Sequence, residues 1–349
     1  MDFPLIIGMA ILATVVGGYI VTSLLLFKFP NIIHKKKKLK FRPVHISHRG
    51  GAGENCENTM MAFKHALSHG TQMLEIDCHL TKDGEVVVSH DHHLLNKCGA
   101  DINISDIDLK DLPEYKPVLS VDFRPGFTVE CGKDRKIPTL RQLFTAFPQT
   151  PVNIDVKLYN EQLFHKVHDL IKEFHREDIT IWGGRLSETT KALNKLDPGI
   201  PVFFSFRRCF TLLLLFYSGL LPFVPLYEST LEIIMPSIIL NRKNKTTELS
   251  LKFRILLRMA DILIMRPALF SHLNKRGIQT YLWVLNEEEE WSRAFKIGAT
   301  GVMTDFPSKL AEFIRDHPEL GVDVRGSVEN DESQCLTSKQ PEVDQQIKI

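Results

Sequence analysis

The chain reads as an α/β protein: a (β/α)8 barrel preceded by a transmembrane helix. Three observations predict this: short apolar runs alternating with amphipathic stretches across 44–316, an uncharged stretch at 3–27, and a polar stretch after Pro318. Residues 3–27 come first. Twenty-five residues at about 1.5 Å each make a helix of roughly 37 Å, enough for a hydrocarbon core of about 30 Å. Basic residues follow this stretch (Lys35 to Lys38, Lys40 and Arg42), and only Asp2 precedes it. A cleaved signal peptide has the opposite order. The positive-inside rule puts the following domain in the cytosol, and a retained anchor of this kind suggests the endoplasmic reticulum or perinuclear membranes. The lysine run also suits contact with anionic lipid. The expected organisation is an anchor at 1–28, a basic linker at 29–43, a barrel at 44–316 and a disordered polar tail at 317–349.

Strand-like runs lie at 44–47, 73–79, 86–89, 152–156, 179–182, 202–205, 278–284 and 301–303. Helix-like stretches lie at 58–69, 140–147, 161–174, 188–196, 267–275 and 287–296. Such alternation predicts parallel βα units, and a closed barrel takes about 250 residues. A doubly wound open sheet is the alternative, but no GxGxxG follows the first strand. Residues 209–227 are uncharged and long enough to suggest a second span. A crossing there would put the strands on either side of it on opposite faces of the bilayer, and one barrel would not close. Pro222 and Pro225 also interrupt a helix. The segment is therefore expected to dip into the membrane interface, with a buried core helix as the alternative.

Bulk composition narrows the function. The net charge of +1 supplies no field for nucleic acid. The six cysteines form no CxxC pair, which argues against a disulfide framework or zinc knuckle.

Chemistry-bearing residues fall at strand ends. His48-Arg49-Gly50-Gly51 closes the first run, where barrel active sites form. His48 suits proton transfer near neutral pH, and Arg49 suits a bidentate grip on phosphate. Glu75 and Asp77 share one strand face. Two adjacent carboxylates inside a barrel are costly unless a cation neutralises them, and oxygen ligands suit Mg²⁺ or Ca²⁺. Asn153, Asp155 and Lys157 share another face. Asp155 suits completion of a metal site, and Lys157 suits stabilisation of phosphoryl charge; a structural Asp155–Lys157 pair explains the spacing equally well. A short apolar strand delivers His90 as a second acid/base group or an extra metal ligand. His79 is a neighbour of this set if its strand continues that far.

These pieces resemble the glycerophosphodiester phosphodiesterase family over 46–310. The matching motifs are HRG at 48–50, ENT at 57–59, EIDCHLTKDG at 75–84, SHD at 89–91, NIDVK at 153–157, WVLNEEEEW at 283–291 and GATGVMTDFP at 298–307. The anchor and the apolar insert are similar to its membrane-anchored lysophospholipase D branch. The resemblance implies a small insertion after the second strand, within 81–135. It implies His48 and His90 as the acid/base pair, and Glu75, Asp77 and Asp155 as ligands of a divalent cation. Relatives often carry Glu where Asp155 stands, so a water could bridge this shorter side chain to the metal. Arg49 would hold phosphate, Trp283 would line the pocket, and Glu54 and Asn58 would order the first loop. The expected substrate is a lysophospholipid such as lysophosphatidylcholine or N-acyl-lysophosphatidylethanolamine, with the apolar segment receiving its acyl chain. Soluble glycerophosphocholine, a cyclising phospholipase C-like lyase and a non-catalytic membrane scaffold are the alternatives.

Overall fold

The computed structural model describes residues 3–241 and 250–320. Its strands are β1 (His45–His48), β2 (Met73–Leu80), β3 (Val86–Val88), β4 (Val118–Ser120), β5 (Thr128–Glu130), β6 (Val152–Val156), β7 (Thr180–Gly183), β8 (Thr230–Ile234), β9 (Gln279–Trp283) and β10 (Gly301–Thr304). Seven pair in parallel in the order β7-β6-β2-β1-β10-β9-β8. The parallel bridges Trp182 to Val202 and Phe203 to Thr230 fill the eighth position and join the two ends of the sheet. The result is the expected (β/α)8 barrel.

Its eight positions differ from the expected ones at one place. The run at 86–89 is a strand, but β3 pairs antiparallel with β2 in a hairpin outside the ring. The turn between them is tight, with Thr81 and Glu85 hydrogen-bonded and Gly84 at φ +84°. The strand that takes its place in the ring is β8, whose Glu232 breaks the apolar run.

Outward-facing strand residues pack on the helices in two large clusters. Inward-facing Phe41, Ile46, Met73, Ile181, Phe203, Tyr281 and Met303 form a separate apolar plug inside the barrel. Full burial of each such side chain contributes about 1.5–3 kcal/mol. Helix starts follow local chemistry. Thr139 and Gln142 form a reciprocal capping box before Leu140–Ala146, and Asn160 caps Glu161–Glu173. The insertion after β2 is present and carries the β4–β5 hairpin.

The N-terminal helix, Phe3–Lys28, is long and apolar enough to cross a membrane by length and composition. Its C-terminal half docks on the barrel. Tyr19 Oη donates to Ser218 O at 2.5 Å and Ser23 Oγ to Gly219 O at 2.7 Å. The Phe27 ring stacks on His272 with centroids 4.5 Å apart. The linker that follows is docked as well. His34 Nε2 meets Pro222 O at 2.7 Å, and Lys37 Nζ donates to Tyr227 O at 2.7 Å. Gly277, at φ +76°, permits the closest approach: a Cβ there would lie 2.1 Å from the Lys37 carbonyl oxygen.

The apolar segment 209–227 belongs to a helix, Phe206–Tyr217, and a short turn of 3-10 helix, Leu221–Phe223. Twelve residues rise about 18 Å, too short for the hydrocarbon core. Of that helix only Leu212 is fully buried, so it is neither a span nor a core helix. A second outer helix, Leu251–Ile264, was not anticipated from the alternation. Of the tail expected at 317–349, His317 and a short turn at Pro318–Leu320 are described; residues 321–349 lie outside the described residues.

Candidate active site

The C-terminal strand ends bring most of the expected residues together. His48 ends β1, and its Nδ1 lies 2.7 Å from Asp305 Oδ1 just beyond β10. A carboxylate only accepts, so the ring proton sits on Nδ1 and Nε2 keeps a free lone pair. Asp305 is itself held, because Asn286 Nδ2 donates to its Oδ2 at 2.9 Å. Asn286 Oδ1 in turn accepts the Asp305 backbone N–H at 2.9 Å. Burial, and then the Arg49 charge, lowers the His48 pKa against the upward pull of Asp305. The imidazole is therefore neutral at physiological pH and available as a base.

Arg49 follows with a left-handed backbone at φ +51°. That geometry turns its N–H onto Glu75 Oε2 at 3.0 Å. Its guanidinium is almost wholly buried and meets carboxylates on several sides. Nη1 donates to Asp122 at 2.7 Å and to Glu57 at 3.3 Å, and Nε lies 3.6 Å from Asp77. Burial alone would lower its pKa, but Glu57, Asp77, Asp122 and Glu75 outweigh it and hold the charge. Lys97 balances this network by donating to Glu57 at 2.8 Å and Asp122 at 3.2 Å.

Glu75 and Asp77 sit on β2 beside Asp155 on β6, in direct register Asp77 to Asp155. Lys157 Nζ lies between them, 2.7 Å from Asp77 Oδ1 and 2.6 Å from Asp155 Oδ2. Among the described residues no three acidic, histidine or cysteine side chains already form a metal-holding group. The chemistry of the set nevertheless fits a hard cation. All three donors are oxygens, and Asp155 Oδ1 is buried without a hydrogen bond. Burial and then the Asp77 charge push the Glu75 pKa well up. Burial would do the same to Asp77, but Lys157 and Arg49 hold it low. Lys157 and Arg49 together hold Asp77 as an anion but do not offset the burial of Glu75, so further positive charge would be favourable beside it.

His90 lies past β3 with its Nδ1 2.7 Å from Asp91 Oδ1. His79 does lie beside the set, with its Nε2 3.1 Å from the His90 carbonyl oxygen. Burial lowers the His79 pKa to about 4, so it stays neutral and structural. Asn58 Nδ2 reaches Asp77 at 3.3 Å, and Glu54 accepts from Ser308 and contacts His65. Both order the first loop as expected.

The residues that were not anticipated are Asp305, Asn286 and the tip of the insertion. The first two stand inside the recognised motifs at 298–307 and 283–291, where their polarity after an apolar run was the available signal. From the β4–β5 hairpin, Asp122 reaches Arg49. Its neighbour Phe123 sets its ring edge to His48 at 5.5 Å and to Trp283 at 6.1 Å between centroids. Nothing local marks this loop as part of a site.

Comparison with known proteins gives a consistent result. Human lysophospholipase D GDPD1 is 52% identical over 305 residues, covering 87% of this chain and 96% of that protein. Human lysophospholipase D GDPD3 is 38% identical over 301 residues, covering 86% and 94%. A glycerophosphoryl diester phosphodiesterase domain from Mycobacterium tuberculosis has the same fold, with TM-score 0.61, 16% identity and coverage of 78% and 98%. So does a phosphodiesterase from Oleispira antarctica solved with the product sn-glycerol-3-phosphate, with TM-score 0.52, 17% identity and coverage of 78% and 97%. The model of the glycerophosphoryl diester phosphodiesterase family matches residues 48–309, the span from the first histidine of the site to the helix after the last barrel strand, and the chain belongs to that family.

Proposed function

We propose that this protein is a membrane-anchored lysophospholipase D. It hydrolyses lysophosphatidylcholine, N-acyl-lysophosphatidylethanolamine or a similar lysolipid to a lysophosphatidic acid and the free head-group alcohol. The observation that carries the reading is the Asp305-oriented His48 beside Arg49 and the Glu75–Asp77 pair. Two further facts support the lipid substrate: the names of relatives at 52% and 38% identity, and the apolar helix Phe3–Lys28, which serves as the anchor.

In this reading His48 Nε2 takes a proton from the attacking water as its oxygen bonds to phosphorus. The bond from phosphorus to the head-group oxygen breaks, and His90, held through Nδ1 by Asp91, protonates the departing alcohol. Arg49 and Lys157 hold the phosphate oxygens and the charge that grows on them. Glu75, Asp77 and Asp155 would hold Mg²⁺ or Ca²⁺, which when bound supplies Lewis-acid stabilisation of the phosphoryl oxygens.

The test is a lysolipid assay of the purified full chain with Mg²⁺, Ca²⁺ or chelator. Activity should vanish in chelator, return with one ion, and be absent in His48→Ala. Full activity in chelator would remove the cation from the reading. Retained activity in His48→Ala would remove the histidine, and a preference for glycerophosphocholine would remove the lysolipid. A substrate without the free glycerol hydroxyl separates direct hydrolysis from a cyclic-phosphate route, because only direct hydrolysis turns it over unimpaired.

A further inference from the structure

Two outer helices present apolar faces that no described part of the chain covers. On Phe206–Tyr217 the exposed apolar residues are Phe206, Phe210, Leu214 and Tyr217. On Leu251–Ile264 they include Leu251, Ile255, Met259 and Ile262. Both sets follow the spacing i, i+4, i+8, i+11, which draws one stripe along a helix. The two helices touch, since Tyr217 Oη donates to Leu263 O at 2.9 Å. Together they expose large apolar side chains side by side, and an exposed apolar patch of this kind marks an interaction site.

We infer that these two faces form a second membrane-contact surface, lying in the headgroup region of an anionic bilayer beside the N-terminal anchor. Continuity is the first argument. The anchor helix is fastened to the end of Phe206–Tyr217 through Tyr19, Ser23 and Phe27, so lipid around the anchor reaches the stripe. Charge is the second. Arg207, Lys252, Arg254 and Arg258 are exposed on these helices, with no acidic partner among the described residues. The one acid of Leu251–Ile264, Asp261, is taken by Arg293. An apolar face rimmed by these cations suits an interfacial helix on anionic lipid. It opposes a second copy, because a two-fold contact would bring the same cations together.

The placement bears on catalysis. Phe206 comes three residues after Phe203 of the barrel position at Val202 and Phe203, and its N–H bonds Arg185 O beyond β7. The stripe therefore starts at the catalytic rim. A lysolipid would leave the bilayer along it with its acyl chain still against apolar side chains. This last point rests on the lysophospholipase D reading; the membrane contact does not.

The experiment uses the full chain in phosphatidylserine-containing vesicles with bromine-labelled acyl chains. Tryptophan is introduced by Leu214→Trp or Ile255→Trp, and by Val118→Trp as a control at an exposed position of the β4–β5 hairpin. All three side chains are exposed, so a larger ring meets solvent and not the core. The bromolipids should remove about half or more of the added emission at 214 and 255 and almost none at 118. Reversing Lys252, Arg254 and Arg258 to Glu should restore most of the emission at 255. Equal emission at all three sites would overturn the proposal, and concentration-dependent self-association would then give the face to a second copy. Quenching at 214 and 255 without lysolipid turnover would keep the membrane surface and reject the substrate reading instead.

Discussion

Asp305→Asn tests the proposed base without changing its shape. Asp305 is buried and shares its two oxygens between His48 at 2.7 Å and Asn286 at 2.9 Å. An amide placed there has two orientations. With its oxygen toward His48, its NH₂ faces the Asn286 NH₂, leaving a buried donor unpaired at a cost of about 1–3 kcal/mol. Asn286 cannot turn to relieve this, because its oxygen already accepts from Asp305 N and Thr304 Oγ1. With its NH₂ toward His48, every hydrogen bond is satisfied, but Nδ1 must then accept and the proton moves to Nε2. The second orientation wins, and His48 ceases to be a base. A charge-assisted bond is worth about 1.5–3 kcal/mol, so kcat should fall at least about 10- to 150-fold. The comparable change in serine protease triads costs about 10⁴, which sets the upper end. KM and thermal stability should change little. Asp305 also raises the His48 pKa, so the acid limb of the pH profile should move to lower pH. The measurement is kcat against pH on a lysolipid in detergent micelles. A kcat within about threefold of the parent, with an unmoved acid limb, would refute the role given to His48.

Four further outcomes are expected. His90→Ala should cost about 10²–10⁴ in kcat with a choline leaving group and much less with a p-nitrophenol one, which steady-state kinetics on both diesters would check. Asp77→Asn should raise the half-activating concentration of the restoring cation by about tenfold or more, read from a metal titration after chelation. Glu232 sits inside the barrel with its pKa raised to about 8 by burial. Above its unfolded value of about 4.3, the folded state holds a proton that the unfolded chain has lost. Stability should therefore fall as pH rises from there to about 8, by up to ~1.4 kcal/mol per unit, and Glu232→Gln should flatten that slope in melting curves run in chelator. Gly277→Ala should destabilise the fold by at least about 1 kcal/mol from its left-handed backbone alone, and by more from the clash with the Lys37 carbonyl oxygen; the melting temperature and protease sensitivity of the linker would report it.

What could be read from the chain without its structure follows from how local each signal is. Barrel strands such as β1, β2 and β6 are unbroken apolar runs carrying polar residues on one face, and periodicity finds them. Glu232 interrupts the apolar run of β8, and its hydrogen-bond partners Asn153 and Thr230 come together with it in the folded barrel. β3 looked like a ring strand because three consecutive valines fit any buried strand; its antiparallel pairing is decided by the short turn at Gly84. The helix Leu251–Ile264 mixes basic and apolar residues around much of its surface, so it has no conventional buried stripe to detect.

In the site, residue type and strand position single out His48, Glu75, Asp77 and Asp155 as candidates, but not Asp305 as the partner of His48. Asp305 lies 257 residues from His48 in sequence, and only closure of the ring between β1 and β10 makes them neighbours. For Lys157 the spacing leaves open a structural pair with Asp155 or a phosphoryl contact. The structure shows it serving two carboxylates at once, so the pair exists. That second carboxylate belongs to β2, so the contact depends on the register of Asp77 with Asp155 across β2 and β6, which the spacing within 153–157 does not carry.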